Sequence, residues 1–175
     1  ERFLDECGQY LEVIAFADDV GMQTGLMISP SVYRTMIKPL HAQLISAIRR
    51  KTPAKVFYHS CGDIVPLIPD FIEIGVDCLN PVQFSAHEMD TVYLKREFGR
   101  DISFWGAIDT QHVLPFGSQD DVRDEVRRRI QELAAGGGFV LGAVHNIQNE
   151  VPPENVVAMC DEAKRAGAYR SKASR

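Results

Sequence analysis

At 175 residues, 45% hydrophobic and 25% charged, the chain has the composition of a soluble globular domain large enough to bury a core. Its net charge of -5 argues against a sequence-independent nucleic-acid binder, which presents a basic face. No apolar run approaches a membrane span, no signal peptide is visible, and four scattered cysteines form no disulfide framework, so free thiols in a reducing, cytoplasmic compartment are expected.

The chain starts at Glu1 rather than Met, which leaves room for residues before it. Phe3, Leu4, Cys7 and Leu11 lie near a helical period over residues 1–12. Val13–Ala17 reads as a short apolar strand running out into Asp18 and Asp19. Ser29-Pro30 is an N-cap followed by proline at the first helical position. The helix behind it carries Val32, Met36, Leu40, Leu44 and Ile48 at steps of four, and Pro39 should kink or interrupt it.

A second strand is expected over 55–59, with a helix from Asp63 to Gly75. The next strand, 76–80, leads to Pro81-Val82-Gln83, and a helix follows Asp90 and stops at Gly99. Residues 102–106 form another strand, leading to Asp109. Ser118 with Asp121 reads as a capping box for a helix whose apolar face is Val122, Val126, Ile130 and Leu133, with Arg127, Arg128 and Arg129 between. After Gly136-Gly137-Gly138 comes the last strand, 139–144, leading to His145, and Pro152-Pro153-Glu154 opens the final helix. The tail 169–175 is polar and basic and expected to fray.

The order is therefore α followed by five βα units, which implies a parallel sheet with right-handed crossovers. No glycine-rich phosphate loop follows the first strand. Each strand exit carries polar groups: Asp18 and Asp19, His59 and Cys61, Asn80 and Gln83, Asp109 and Gln111, His145 and Gln148. A (β/α)8 barrel places its chemistry there, but so does an open α/β sheet, and loops are polar in any case. Five strands cannot close an eight-stranded barrel, so the chain is either a piece of one or an open sheet.

His59 and Cys61 are two apart at the end of a strand, so both side chains project to one side. An imidazole and a thiol so placed suit zinc; a buried His beside a buried Cys is the alternative. Asp109 suits the orientation of a ligand histidine or a plain turn. Asp18 and Asp19 suit substrate contacts or a solvated loop, and Gln83, Gln111 and Gln148 suit a polar pocket lining. Trp105 is read as core, His41 and His112 as surface or packing residues, and Cys7, Cys78 and Cys160 as buried.

Several stretches resemble the uroporphyrinogen decarboxylase superfamily, over roughly residues 10 to 165. They are Asp18-Asp19-Val20-Gly21 with Ile28-Ser29-Pro30; Phe57-Tyr58-His59-Ser60-Cys61-Gly62; and Gly75-Val76-Asp77 with Asn80-Pro81-Val82-Gln83. Trp105-Gly106-Ala107-Ile108-Asp109, His145-Asn146-Ile147-Gln148 and Pro153-Glu154-Asn155 complete the set. The superfamily includes zinc- and corrinoid-dependent methyltransferases such as methylcobalamin:coenzyme M methyltransferase. The resemblance implies that residues 1–168 are the C-terminal part of a (β/α)8 barrel, with about three N-terminal units absent.

The methyltransferase branch holds zinc with a His-x-Cys pair and a later Cys. His59 and Cys61 match the pair, and His145 takes the place of the later Cys, a departure that still leaves acceptable ligands. The decarboxylase branch needs no metal, and its histidine near the exit of the last strand again corresponds to His145. The expected function is zinc-dependent methyl transfer from a corrinoid (methylcobalamin, free or carried by a partner protein) to a thiol or similar small molecule. A tetrapyrrole decarboxylase, or a non-catalytic barrel fragment, is the alternative. His59, Cys61 and His145 are the expected metal ligands, His145 and Asp109 the catalytic groups, and Asp19, Gln83 and Gln148 the cofactor contacts. The chain alone is expected to be inactive. With open edges at Val13–Ala17 and Phe139–Val144, it is expected to pair with a second copy or with a missing N-terminal part.

Overall fold

The computed structural model describes residues 2–168, so the expected tail at 169–175 lies outside the described residues. Helix α1 (Arg2–Cys7) and a 3-10 turn lead into β1 (Val13–Ala17). A two-stranded hairpin, β2 (Gly21–Met22) with β3 (Gly25–Leu26), follows. Sequence periodicity missed it because its strands are too short to show a period. The expected N-cap is in place: Ser29 Oγ accepts the Val32 N–H at 3.2 Å and starts α2 (Pro30–Val32).

A π-helical turn over Tyr33–Ile37 separates α2 from α3 (Lys38–Arg49). Pro39 cannot donate a backbone hydrogen bond and its ring crowds the preceding turn, and the widened turn just before it relieves both problems. Of the apolar residues at steps of four in this helix, only Ile48 is buried. Met36 and Leu40 are 67% and 62% exposed, and Val32 and Leu44 are exposed with them. The buried positions are Tyr33, His41, Ile45 and Ile48. Ile48 belongs to both sets, and each other buried position lies one residue after an apolar one, so spacing alone does not choose between them. Aromatic packing chooses: Tyr33 stands edge-on to Phe71, and His41 edge-on to Phe16 and Tyr58.

The remaining elements alternate as expected. They are β4 (Lys55–His59), α4 (Ile68–Ile74), β5 (Cys78–Asn80), α5 (Thr91–Phe98), β6 (Ser103–Ile108), α6 (Val113–Phe116), α7 (Gln119–Leu133), β7 (Phe139–Ala143) and α8 (Pro153–Ala166). Gly75 closes α4 at φ 95°, a conformation a β-carbon disfavours, and Ser118 with Asp121 forms the capping box of α7. Short α6 is an addition to the expected set.

The five long strands are all parallel, in the order β1-β4-β5-β6-β7. Each crossover steps to the next neighbour in one direction. A doubly wound sheet reverses direction at a switch point. This sheet does not, and it is an arc of a (β/α)8 barrel. Its larger core lies between the strands and α3, α4 and α5; a smaller one, around Ile108, Val122, Val126 and Met159, joins α6, α7 and α8. Strands β1 and β7 are the sheet edges, and Val13 and Val140 on them are exposed. Among the described residues, no helix is long and apolar enough to cross a membrane.

Candidate metal centre

The exit of β4 is fastened by four consecutive backbone amides, each with a different acceptor. Ser60 N–H donates to Asn80 O at 2.9 Å, Cys61 N–H to Asp19 Oδ1 at 2.8 Å, Gly62 N–H to Gln83 Oε1 at 2.8 Å, and Asp63 N–H to Met22 O at 2.8 Å. Ser60 Oγ in turn accepts the Val20 N–H at 3.1 Å. Gly62 sits at φ 83°, and a β-carbon there would lie 2.5 Å from the backbone of Gly21 and Met22. The β2–β3 hairpin thus lies directly against the loop that carries Cys61. With every amide committed, the loop has one conformation, and the Cys61 side chain has a fixed origin.

On this base His59 Nε2 lies 3.5 Å from Cys61 Sγ. His145, just past β7, brings its ring to 6.0 Å from that of His59, centroid to centroid. One donor atom from each of His59, Cys61 and His145 falls within 4.8 Å of the other two. Tetrahedral zinc with bonds of about 2.0–2.3 Å separates its donors by about 3.3–3.8 Å. The His59–Cys61 pair already has that spacing, and the exposed His145 offers a donor within 4.8 Å of both. The donor set fits zinc, which takes imidazole nitrogen and thiolate sulfur readily.

Burial pushes the Cys61 thiol up to about 11, and the Asp19 carboxylate adds to the effect. Without a cation the sulfur is a neutral thiol, and a metal held there must displace its proton. On its other side His59 Nδ1 meets Asn80 Oδ1 at 2.5 Å, and Asn80 Nδ2 donates to Trp105 O at 3.0 Å.

The other expected site residues are placed as follows. Asp19 and Gln83 stand beside the centre, and both spend a side-chain oxygen on holding the Cys61–Gly62 backbone. Asp109 does not orient His59 or His145. Its Oδ1 accepts the Gln111 and His112 N–H groups at 2.6 and 3.3 Å, and its Oδ2 faces His112 Nδ1 at 3.3 Å. The polar turn after β6 is the nearest source of donors, so it claims this carboxylate. Gln148 turns back to Asn146 O at 3.1 Å. Gln111 Oε1 accepts from Gln23 and Ser85, each at 3.3 Å.

Asp18 holds His41, whose Nε2 lies 2.9 Å from Asp18 Oδ2 and whose Nδ1 lies 3.2 Å from the Tyr33 hydroxyl. His41 is thus a buried packing residue, whereas His112 is exposed. Trp105 stands edge-on to Phe57, with centroids 5.3 Å apart. Of the cysteines outside the centre, Cys78 is buried as expected, Cys7 half-buried, and Cys160 exposed on α8. The sequence reading missed Asn80 as a partner of His59. The signal was present, since an amide on the neighbouring strand at the same depth faces the same side.

The family model for uroporphyrinogen decarboxylase (URO-D) matches residues 6–166. The chain belongs to the uroporphyrinogen decarboxylase family. A methylated-thiol–coenzyme M methyltransferase of Methanosarcina mazei is 28% identical over 145 residues, which cover 83% of this chain and 36% of that protein. A uroporphyrinogen decarboxylase of Syntrophotalea carbinolica is 26% identical over 169 residues, covering 92% of this chain and 46% of that protein. The chain therefore spans less than half the length of these relatives. A solved methyltransferase from Methanosarcina mazei superposes with a TM-score of 0.71 at 22% identity, over 90% of this chain and 43% of that one, which shows the shared fold.

Proposed function

We propose that this chain carries the metal centre of a zinc-dependent methyltransferase that works with a corrinoid and methylates a thiol or a similar small acceptor. The observation that carries the reading is the convergence of His59, Cys61 and His145 at the exits of β4 and β7. Zinc bound there supplies Lewis acidity that makes an acceptor thiol a thiolate near neutral pH. The chain's own part is to hold and orient. His59 and Cys61 come from one strand end and His145 from another, and Asp19 and Gln83 fix the loop between them. A small acceptor would bind beside these ligands. The relative that acts on methylated thiols and coenzyme M supports this reading.

Tetrapyrrole decarboxylation is the second reading. Relatives named uroporphyrinogen decarboxylase match at similar identity, and His145 stands at the exit of the last strand in either case. Because the chain covers under half of each relative, we expect it to bind metal without turning over by itself.

Protein purified without chelator should contain about one zinc per chain, with nitrogen and sulfur ligands by X-ray absorption. Cys61→Ser and His59→Ala should each remove most of it. A chain free of transition metal would overturn the zinc reading and favour the decarboxylase.

A further inference from the structure

The imidazole of His59 offers a metal one lone pair, and which nitrogen carries it depends on where the ring proton sits. Asn80 ends β5 and is paired in register with His59 at the end of β4, so both side chains leave the sheet on one face. The Asn80 side chain is held at both ends. Its Nδ2 donates to the Trp105 carbonyl at 3.0 Å, and its Oδ1 lies 2.5 Å from His59 Nδ1. Turning the amide over would set its oxygen against the Trp105 carbonyl oxygen, acceptor against acceptor, and would lose that bond.

The backbone of Asn80 is pinned as well. Its carbonyl accepts the Ser60 N–H at 2.9 Å, and the next carbonyl, Pro81 O, accepts the Ala107 N–H at 3.0 Å. Val82 and Ala107, on either side of this contact, hold φ values of 56° and 71°, which side chains disfavour. The β5 and β6 exits thus keep one geometry around the Asn80 amide.

We infer that Asn80 is a positioning residue that keeps the His59 proton on Nδ1, so that Nε2 meets Cys61 with its lone pair free. An amide oxygen accepts and never donates, so the ring nitrogen facing it must carry the hydrogen. Nε2, 3.5 Å from Cys61 Sγ, is then an unprotonated ligand atom before any metal arrives. In solution the neutral histidine side chain favours the opposite tautomer, so Asn80 removes a rearrangement that binding would otherwise require.

The inference rests on the zinc reading only for its consequence in affinity; the tautomer is a property of the metal-free chain. Nitrogen-15 NMR of the metal-free chain with labelled histidine reports it directly, at about pH 9, well above the ordinary imidazole value of about 6.5. His59 is identified as the signal lost in His59→Gln. It should carry its proton on Nδ1. In Asn80→Leu the proton should move towards Nε2, and zinc affinity should fall about 10- to 100-fold. Asn80→Asp keeps an acceptor for Nδ1 and should hold the tautomer, although its second oxygen gives up the bond to Trp105. The wild-type measurement needs no variant, so the inference stays testable even if Asn80→Leu does not fold. A His59 proton on Nε2 in the wild type overturns it, as does an unchanged tautomer in folded Asn80→Leu. Protein that takes up no zinc yet shows the Nδ1 tautomer overturns the zinc reading and supports the role of Asn80.

Discussion

The exits of β4 and β6 are both polar, and they use their polar groups in opposite ways. At the β4 exit the backbone amides are all satisfied from outside the loop, while the Cys61 thiol and His59 Nε2 point at each other. At the β6 exit the side chains satisfy one another. Asp109 takes two amides of its own turn and the His112 ring, and its N–H goes to Glu125. Glu125 in turn faces Arg129, which lies over the Phe84 ring and reaches Thr91 and Glu132. Arg129 is only 3% exposed. A group whose hydrogen bonds are made inside the protein has little left for a ligand, although Arg129 Nε is buried here without a partner. The difference separates a site that offers lone pairs outward from a brace that consumes them.

The brace breaks first. Arg129→Leu would strand Glu125 without its buried cation, while Glu132 keeps Arg128 and Thr91, and should cost about 3–5 kcal/mol in denaturant unfolding. Zinc bound to the chain that remains folded should stay near one per chain. Loss of zinc with little loss of stability would reverse the assignment of the two exits. Asp109→Ala removes the acceptor of the Gln111 and His112 amides in an exposed turn and should cost about 0.5–1.5 kcal/mol, again with zinc content unchanged. If Asp109→Ala empties the centre while the fold survives, Asp109 is part of the site after all.

The mirror experiment is Cys61→Ser, which removes the sulfur ligand and keeps every backbone bond of the loop. Metal-free, it should unfold within about 0.5 kcal/mol of the wild type, whereas its zinc content should collapse. The smallest effect is a pH dependence confined to the brace. Burial raises the Glu125 carboxyl above its ordinary value, partly offset by Arg129 and by the Asp109 N–H. A carboxyl raised on folding binds more protons in the folded state. Its contribution therefore improves as pH falls from its raised folded value towards the unfolded value of about 4.3. Relative to Glu125→Gln, the wild type should gain stability as pH falls across that window. A flat difference between the two would show that Glu125 is no more protonated folded than unfolded.

Much of the site was legible before the fold was known. His59 and Cys61 are two apart on a strand, and that spacing alone puts them together. His145 entered through family resemblance, and the structure brings it to them. Asp109 and Gln148 had the right residue types at the right strand ends, yet each is used by its own turn. Arg129, one of three arginines in a row on α7, looked like surface charge and lies among buried partners.

The sequence by itself determined the five βα units, because their signals act within a few residues. The Ser29 cap, the Ser118–Asp121 box, Gly75 and Pro39 impose their bonds or strain on the nearest turn. Tertiary structure alone decided strand order, which stripe of α3 faces inward, and which polar exit stays open. Those outcomes depend on partners far apart in the chain: Asn80 lies 21 residues from His59, and Asp19 lies 42 from Cys61. A side chain's remaining capacity to bind a ligand is whatever such distant partners leave unused, and no local pattern records that.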